Sequence, residues 1–134
     1  VNNRVELLYL LGAISQLNDD NRQAIRYFTE GIEIASDSKD SNRYINPEEL
    51  ARAYVSRSDL EYQVRSYEVC EFDLRNAIAI MEELDDDDLV TNFDILINAH
   101  EKLGRLLISL NRDEEGEKHL MDATSLSVYG ADGR

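Results

Sequence analysis

Three observations predict an all-α fold for this chain of 134 residues. Residues that break helices are scarce, with one proline and six glycines in the whole sequence. Apolar residues recur at three- and four-residue steps along six segments, which is the spacing of one helical face. A pattern of small and large residues also repeats at a fixed interval, which is typical of stacked helical hairpins.

The first hairpin is predicted between Glu6 and Ala35. Its first helix ends at about Leu17, and a polar turn follows. Asp20 or Asn21 can cap the second helix, because their side chains accept hydrogen bonds from free backbone N–H groups. The buried face of the second helix is expected to hold Ala24, Ile25, Phe28, Gly31, Ile32 and Ala35.

The third helix has the clearest start signal, at Asn46-Pro47-Glu48-Glu49. Asparagine suits the cap, proline is accepted in the first turn, and acidic side chains are favoured near the positive end of a helix. We predict that this helix runs to about Gln63, and that the fourth helix extends from Tyr67 to about Leu84.

The fifth helix is predicted from Leu89 to Leu110, where apolar positions alternate between steps of four and three residues. The sixth helix opens at Asp113 or Glu114, and its last apolar position is Leu126. The final residues, 130–134, are expected to fray.

Charge and composition exclude several classes of partner. The formal net charge is −14, and such a surface repels nucleic acids and anionic lipids. A basic partner would be favoured, although acidity is also a common means of solubility. The chain shows neither an apolar run of membrane-spanning length nor a signal peptide, so we expect a cytoplasmic protein. The single cysteine, Cys70, is expected to be a small buried residue.

The repeated pattern consists of three small positions and one large position per hairpin, 46 residues apart along the chain. Two helices that pack closely need small side chains where their backbones approach. In order along the hairpin, the four sets are Gly12, Ser58 and Gly104; Ala24, Cys70 and Gly116; Phe28, Leu74 and Leu120; and Gly31, Ala77 and Ala123.

These positions resemble the tetratricopeptide repeat family over about Val5 to Val128. The resemblance is closest in the second hairpin, where Ala53-Tyr54, Arg57 and Phe72-Asp73 look typical of the family. It implies three antiparallel hairpins stacked as a right-handed superhelix, in a single domain over residues 1–134. The repeats would span about 5–38, 51–84 and 97–130. Arg57 and Asp73 are placed to pair across the second hairpin.

The period of 46 departs from the family, whose repeat is about 34 residues long. We expect the additional residues at 39–50 and 85–96, as longer connections or helix extensions. In particular, the third and fifth helices are expected to gain a turn or two.

The resemblance also implies a concave groove, lined by the first helix of each hairpin, that binds an extended or helical peptide. The groove residues mix aromatic, amide and charged side chains, as peptide-binding surfaces often do. Each could equally be a solvated residue on a helix face. They are Tyr9, Gln16, Arg52, Asp59, Tyr62, Asn98, Lys102 and Arg105.

One subclass of the family, in co-chaperones, binds chaperone carboxylates through a clamp of lysine, asparagine and arginine side chains. The matching positions here are Tyr9, Ala13, Ser56, Asn98 and Lys102, and only Lys102 is cationic. One cation is too few to bind two carboxylates well, so we expect no clamp activity.

Neither a catalytic motif nor a metal-binding motif is recognised. His100 lies on the apolar stripe of the fifth helix, where a core histidine is the commoner explanation, and His119 has no obvious partner at metal-ligand spacing. The acidic run 85–88 lacks the glycine and the final glutamate of an EF-hand. We therefore expect no enzyme activity, no metal and no cofactor.

The sequence thus predicts a protein–protein interaction module, a scaffold or adaptor part of a larger protein, that binds a peptide or helix in the groove. Two alternatives are open: self-assembly through the terminal hairpins, or a regulatory domain that senses a small peptide near Tyr9 and Tyr62. Nothing in the sequence decides the oligomeric state or names the partner.

Overall fold

The computed structural model describes residues 2–37, 46–86 and 93–133, which form helices without any strand. Consecutive helices pair into three hairpins, and the second helix of each hairpin packs on the first helix of the next. The predicted all-α stack of hairpins is confirmed. The helices are α1 (Asn2–Leu17), α2 (Asn21–Asp37), α3 (Pro47–Gln63), α4 (Tyr67–Asp86), α5 (Asp94–Ser109) and α6 (Asp113–Gly133).

The small residues of the repeated pattern lie where the two helices of a hairpin approach each other. A Cβ atom built on Gly104 would lie 2.8 Å from the carbonyl oxygen of Gly116, and one built on Gly116 would lie 2.6 Å from that of Gly104. Ser58 and Cys70 are buried at the corresponding positions of the second hairpin. Burial raises the pKa of Cys70 to about 12, which keeps its thiol protonated. Because a methyl group on Gly104 or Gly116 would meet the carbonyl oxygen of the other, the backbones of α5 and α6 are in direct contact.

The turn inside each hairpin also repeats with the period of 46. Asp19, Arg65 and Asn111 are left-handed, with φ of 59°, 64° and 64°. In each case the N–H of the next residue donates to a carbonyl oxygen five residues earlier, which is the longer bond of a Schellman motif. These bonds are Asp20 to Ser15 at 2.9 Å, Ser66 to Glu61 at 2.8 Å and Arg112 to Leu107 at 2.8 Å.

A buried ion pair confirms the predicted contact between Arg57 and Asp73. The guanidinium donates to both carboxylate oxygens, from Nε at 2.9 Å and from an Nη at 2.6 Å. The Asp73 side chain is fully buried, and burial raises its pKa against the opposing effect of the guanidinium. Arg57 also donates to Thr29 Oγ1 on α2 at 3.3 Å, and it lies 5.8 Å from the centre of the Tyr54 ring. One side chain therefore links α3 to both α4 and α2.

Several helix ends differ from the prediction. Asn46 precedes α3, but its backbone is left-handed (φ 46°) and its side chain makes no capping hydrogen bond. By contrast, Asp20 accepts the N–H of Gln23 at 3.3 Å and caps α2 as predicted.

The third and fifth helices contain 17 and 16 residues, against 16 in α1. They begin inside the segments 39–50 and 85–96, where additional residues were expected. The fifth helix begins at Asp94, after a buried Phe93, and the predicted start at Leu89 lies outside the described residues. The sixth helix continues through residues 130–133, where fraying was expected, because no proline follows Leu126 to stop it.

We predict that Gly104→Ala lowers the free energy of unfolding by about 1–3 kcal/mol, because the new methyl group meets the backbone of α6. Elsewhere in a helix this substitution is stabilising. Gly12→Ala is the matched comparison, since its methyl group would meet the Phe28 ring at 3.0 Å, and a side chain can move. Urea unfolding should show the larger loss for Gly104→Ala. If both variants lose the same free energy of unfolding, the result contradicts a backbone contact that occurs in the third hairpin and not in the first.

We also predict that Asp73→Ala lowers the free energy of unfolding by about 3–5 kcal/mol, because it leaves the buried Arg57 unpaired. The double variant Arg57→Met, Asp73→Leu should recover most of this loss, since apolar residues can replace a buried pair. Thermal and urea unfolding of both variants test this. If the double variant is no more stable than the single one, the cost does not arise from an unpaired charge.

Candidate functional site

A cleft of about 460 Å³ lies among the first helices of the three hairpins. Five of the eight predicted groove residues line it: Gln16 from α1, Asp59 and Tyr62 from α3, and Lys102 and Arg105 from α5. The buried residues Ser58, Cys70, Leu74 and Leu106 also contribute to its wall. The cleft therefore combines a packed apolar floor with polar side chains from all three hairpins.

The other three predicted residues do not line this cleft. Tyr9 packs against Gly31 and against Phe28, with the two ring centres 6.4 Å apart. Its hydroxyl group is buried, without a hydrogen-bond partner among the described residues, and burial raises its pKa. Arg52 is exposed and lies 3.6 Å from Glu48, and Asn98 is exposed on α5. A binding role for these three residues stays a prediction.

An ion pair crosses the cleft between the second and third hairpins. Lys102 Nζ donates to Asp59 Oδ1 at 2.6 Å, and about a third of each side chain is exposed. Each of these two charges is therefore largely compensated by the other. Arg105 is exposed, and no ion pair involving it occurs in the part of the chain that the structure describes.

Tyr62 supplies an accessible aromatic surface at the cleft. Half of its side chain is exposed, and its ring centre lies 5.5 Å from that of Tyr67. Aromatic side chains bury large areas on binding and dominate many interfaces. Tyr62 and Arg105 thus give the cleft an accessible aromatic ring and an accessible positive charge.

A second cavity, of about 320 Å³, lies among α4, α5 and α6. His100 and His119 meet there, with their Nδ1 atoms 2.9 Å apart, and Asp122 lies beside them. The sequence shows no obvious partner for His119, because nineteen residues separate the two histidines. The contact between the two histidines could have been predicted from which residues face each other across the hairpin. Since Gly104 faces Gly116, a residue one turn before Gly104 faces one about a turn after Gly116.

The comparison with known families concerns the first hairpin. Residues 5–38, which span nearly all of α1 and α2, match the model of the tetratricopeptide repeat. The first hairpin is therefore similar to a tetratricopeptide repeat. No curated protein matches the sequence of the chain significantly.

Tetratricopeptide repeats generally mediate protein–protein interactions, and the repeat itself is a non-catalytic module. The match agrees with the hairpin architecture of the first repeat and indicates protein partners. Within the described ranges, the chain has no helix that is both long and apolar enough to span a bilayer.

Proposed function

We propose that this chain binds a peptide or helix of a partner protein in the cleft, as a scaffold or adaptor part of a larger protein. The observation that carries the proposal is the convergence of Gln16, Tyr62 and Arg105, from three hairpins, on one cleft. A segment lying there would contact all three hairpins at once.

The proposal treats residues 1–134 as one domain of three repeats, at about 5–38, 51–84 and 97–130. The family match covers the first of them. In support of the other two, each hairpin has a left-handed turn residue and the same backbone bonds at intervals of 46 residues. Buried small residues follow the same interval.

The charges in the cleft suggest which kinds of side chain the bound segment carries. Lys102 and Asp59 compensate each other, which leaves Arg105 to pair with an acidic side chain of the partner. Tyr62 can pack on an apolar side chain of the same segment. The chain as a whole carries a net charge of −14, so basic regions elsewhere on the partner would favour association.

We predict that Tyr62→Ala and Arg105→Glu each weaken binding by at least about tenfold, the loss typical of a central interface residue. The probe is a peptide selected from a displayed library on the immobilised wild-type chain, with Kd measured by calorimetry. Arg26→Glu is the matched control, because it makes the same charge change on an exposed part of α2 away from the cleft. If the selected peptides bind both cleft variants as tightly as the wild type, binding occurs elsewhere.

A second candidate function, self-assembly, is favoured by an apolar stripe on α1. Leu7, Leu10, Ile14 and Leu17 recur at steps of three and four residues, so they share one face of the helix. Their side chains are 53%, 57%, 45% and 84% exposed. A contiguous exposed apolar face of this kind usually marks an interaction surface.

In the other two hairpins, the equivalent face of the first helix packs against the preceding hairpin. The residues at intervals of 46 from Leu7 and Ile14 are at most 3% exposed, because a preceding hairpin covers them. In the first hairpin, none of the described residues covers the corresponding positions. The equivalent residues are Ala53 and Ala99 for Leu7, and Leu60 and Leu106 for Ile14.

The opposite end of the stack does not complement this stripe. Thr124 and Ser127 of α6 stand where α4 has the buried Ile78 and Met81. A head-to-tail chain would therefore place hydroxyl groups against leucines. Pairing of two α1 faces in a two-fold dimer is the more favourable arrangement, since apolar area is then buried on both sides.

We predict that Ile14→Glu abolishes concentration-dependent dimer formation, measured by sedimentation velocity, because it buries a charge in the dimer contact. Leu110→Glu, at the far end of α5, is the matched control and should leave dimer formation unchanged. A wild-type chain that sediments as a monomer at every concentration would reject self-assembly through α1.

The third possibility, a sensor of small peptides, required Tyr9 and Tyr62 in one pocket. Tyr9 packs against Gly31 and does not line the cleft that contains Tyr62. No observation therefore favours this possibility over the first two.

A further inference from the structure

We propose that His100, His119 and Asp122 form a binding site for a divalent transition-metal ion, with Zn²⁺ the best fit. One potential ligand atom from each residue lies within 4.8 Å of the other two. Imidazole nitrogen and carboxylate oxygen are ligands that Zn²⁺ commonly takes in proteins. The site lies in the cavity among α4, α5 and α6, apart from the peptide cleft.

The spacing of the two imidazole rings agrees with a shared tetrahedral ion. With Zn–N bonds of about 2.0–2.1 Å, such an ion holds the ring centres about 5.2 Å apart and the two nitrogens about 3.3 Å apart. The observed ring centres are 5.2 Å apart, and the Nδ1 atoms are 2.9 Å apart. A small rotation of each ring therefore makes room for the ion without any separation of α5 from α6.

Without a metal ion, the two Nδ1 atoms form an N–H···N hydrogen bond, in which one ring donates and the other accepts. A metal ion takes the place of this proton between the rings and uses the lone pairs of both Nδ1 atoms, and the proton moves to Nε2 of the ring that donated it. Burial lowers the pKa of both histidines. Neutral imidazole is the form that binds a metal.

A carboxylate and a water molecule complete the ligand set. Asp122 lies three residues after His119 on α6, so the two side chains share one helical face. Glu82 of α4 lines the same cavity but lies outside the cluster of three ligand residues. A water molecule is therefore the natural fourth ligand.

Two cations also line the cavity, and they oppose metal binding. Arg75 is already paired with Glu71 at 2.9 Å and lies 3.6 Å from Glu115, so much of its charge is compensated. Lys118 is exposed on α6. An exposed lysine interacts only weakly through water with a site a few ångströms away.

The test uses the full chain without a histidine tag, treated with chelator and then freed of it. Zn²⁺ is titrated by calorimetry, and Co²⁺ is added separately because its visible absorption reports the coordination geometry. Asp122→Asn and His119→Gln are the ligand variants. Glu117→Gln is the matched control, since it removes an exposed carboxylate from the same helix outside the cavity. Circular dichroism checks that each variant is folded.

We expect one Zn²⁺ per chain, binding at least tenfold weaker in each ligand variant, and unchanged affinity in Glu117→Gln. Long-range ¹H–¹⁵N spectra of the wild-type imidazoles should show both Nδ1 resonances moving on addition of Zn²⁺. The ring that donates its Nδ1 proton without metal should become protonated at Nε2, so that both Nε2 atoms then carry a proton. Because these spectra are recorded on the wild-type chain, they test metal binding by the histidines even if a variant unfolds.

Three results would overturn the proposal. They are the absence of saturable Zn²⁺ binding, unchanged affinity in both ligand variants, and imidazole resonances that do not move. A stoichiometry of one Zn²⁺ per two chains would likewise exclude a site built within one chain.

Discussion

Small residues where the two helices of each hairpin approach each other are the constraint on which the rest of the structure depends. Gly104 and Gly116 are so near that a methyl group on either would meet the carbonyl oxygen of the other. Ser58 and Cys70 keep the same positions small in the middle hairpin. The two helices of a hairpin approach most closely where the small residues lie. The positions of these residues therefore determine the angle and the distance between the helix axes.

The stack and its cleft follow from the repetition of that constraint. Because the small positions recur every 46 residues, α1, α3 and α5 present equivalent faces, and side chains from all three meet in one cleft. Arg57 connects the first two hairpins through Thr29, and Lys102 connects the last two through Asp59. These contacts hold the hairpins in register and form the cleft in advance, which would lower the entropic cost of the proposed binding.

Much of the fold could be predicted from the sequence, because helix spacing and small-residue spacing are local patterns. The pairing of Arg57 with Asp73 was accessible for the same reason, since a regular hairpin fixes which residues face each other. The position of the Tyr9 side chain could not be predicted, because it depends on the space that the distant Gly31 leaves for its ring. The His100–His119 contact was missed because each histidine was judged on its own helix, whereas the pair exists only across α5 and α6.

The central claim is that small residues at matched positions let the helices of each hairpin pack closely, with direct backbone contact in the third hairpin. The most direct measurement is the nuclear Overhauser effect between α-protons of paired positions in the isotope-labelled chain. The account predicts a cross-peak between Gly104 and Gly116, and a weaker one between Ser58 and Cys70, where side chains are larger. If Gly104 shows cross-peaks only to its own helix, the helices are held apart and the account is wrong.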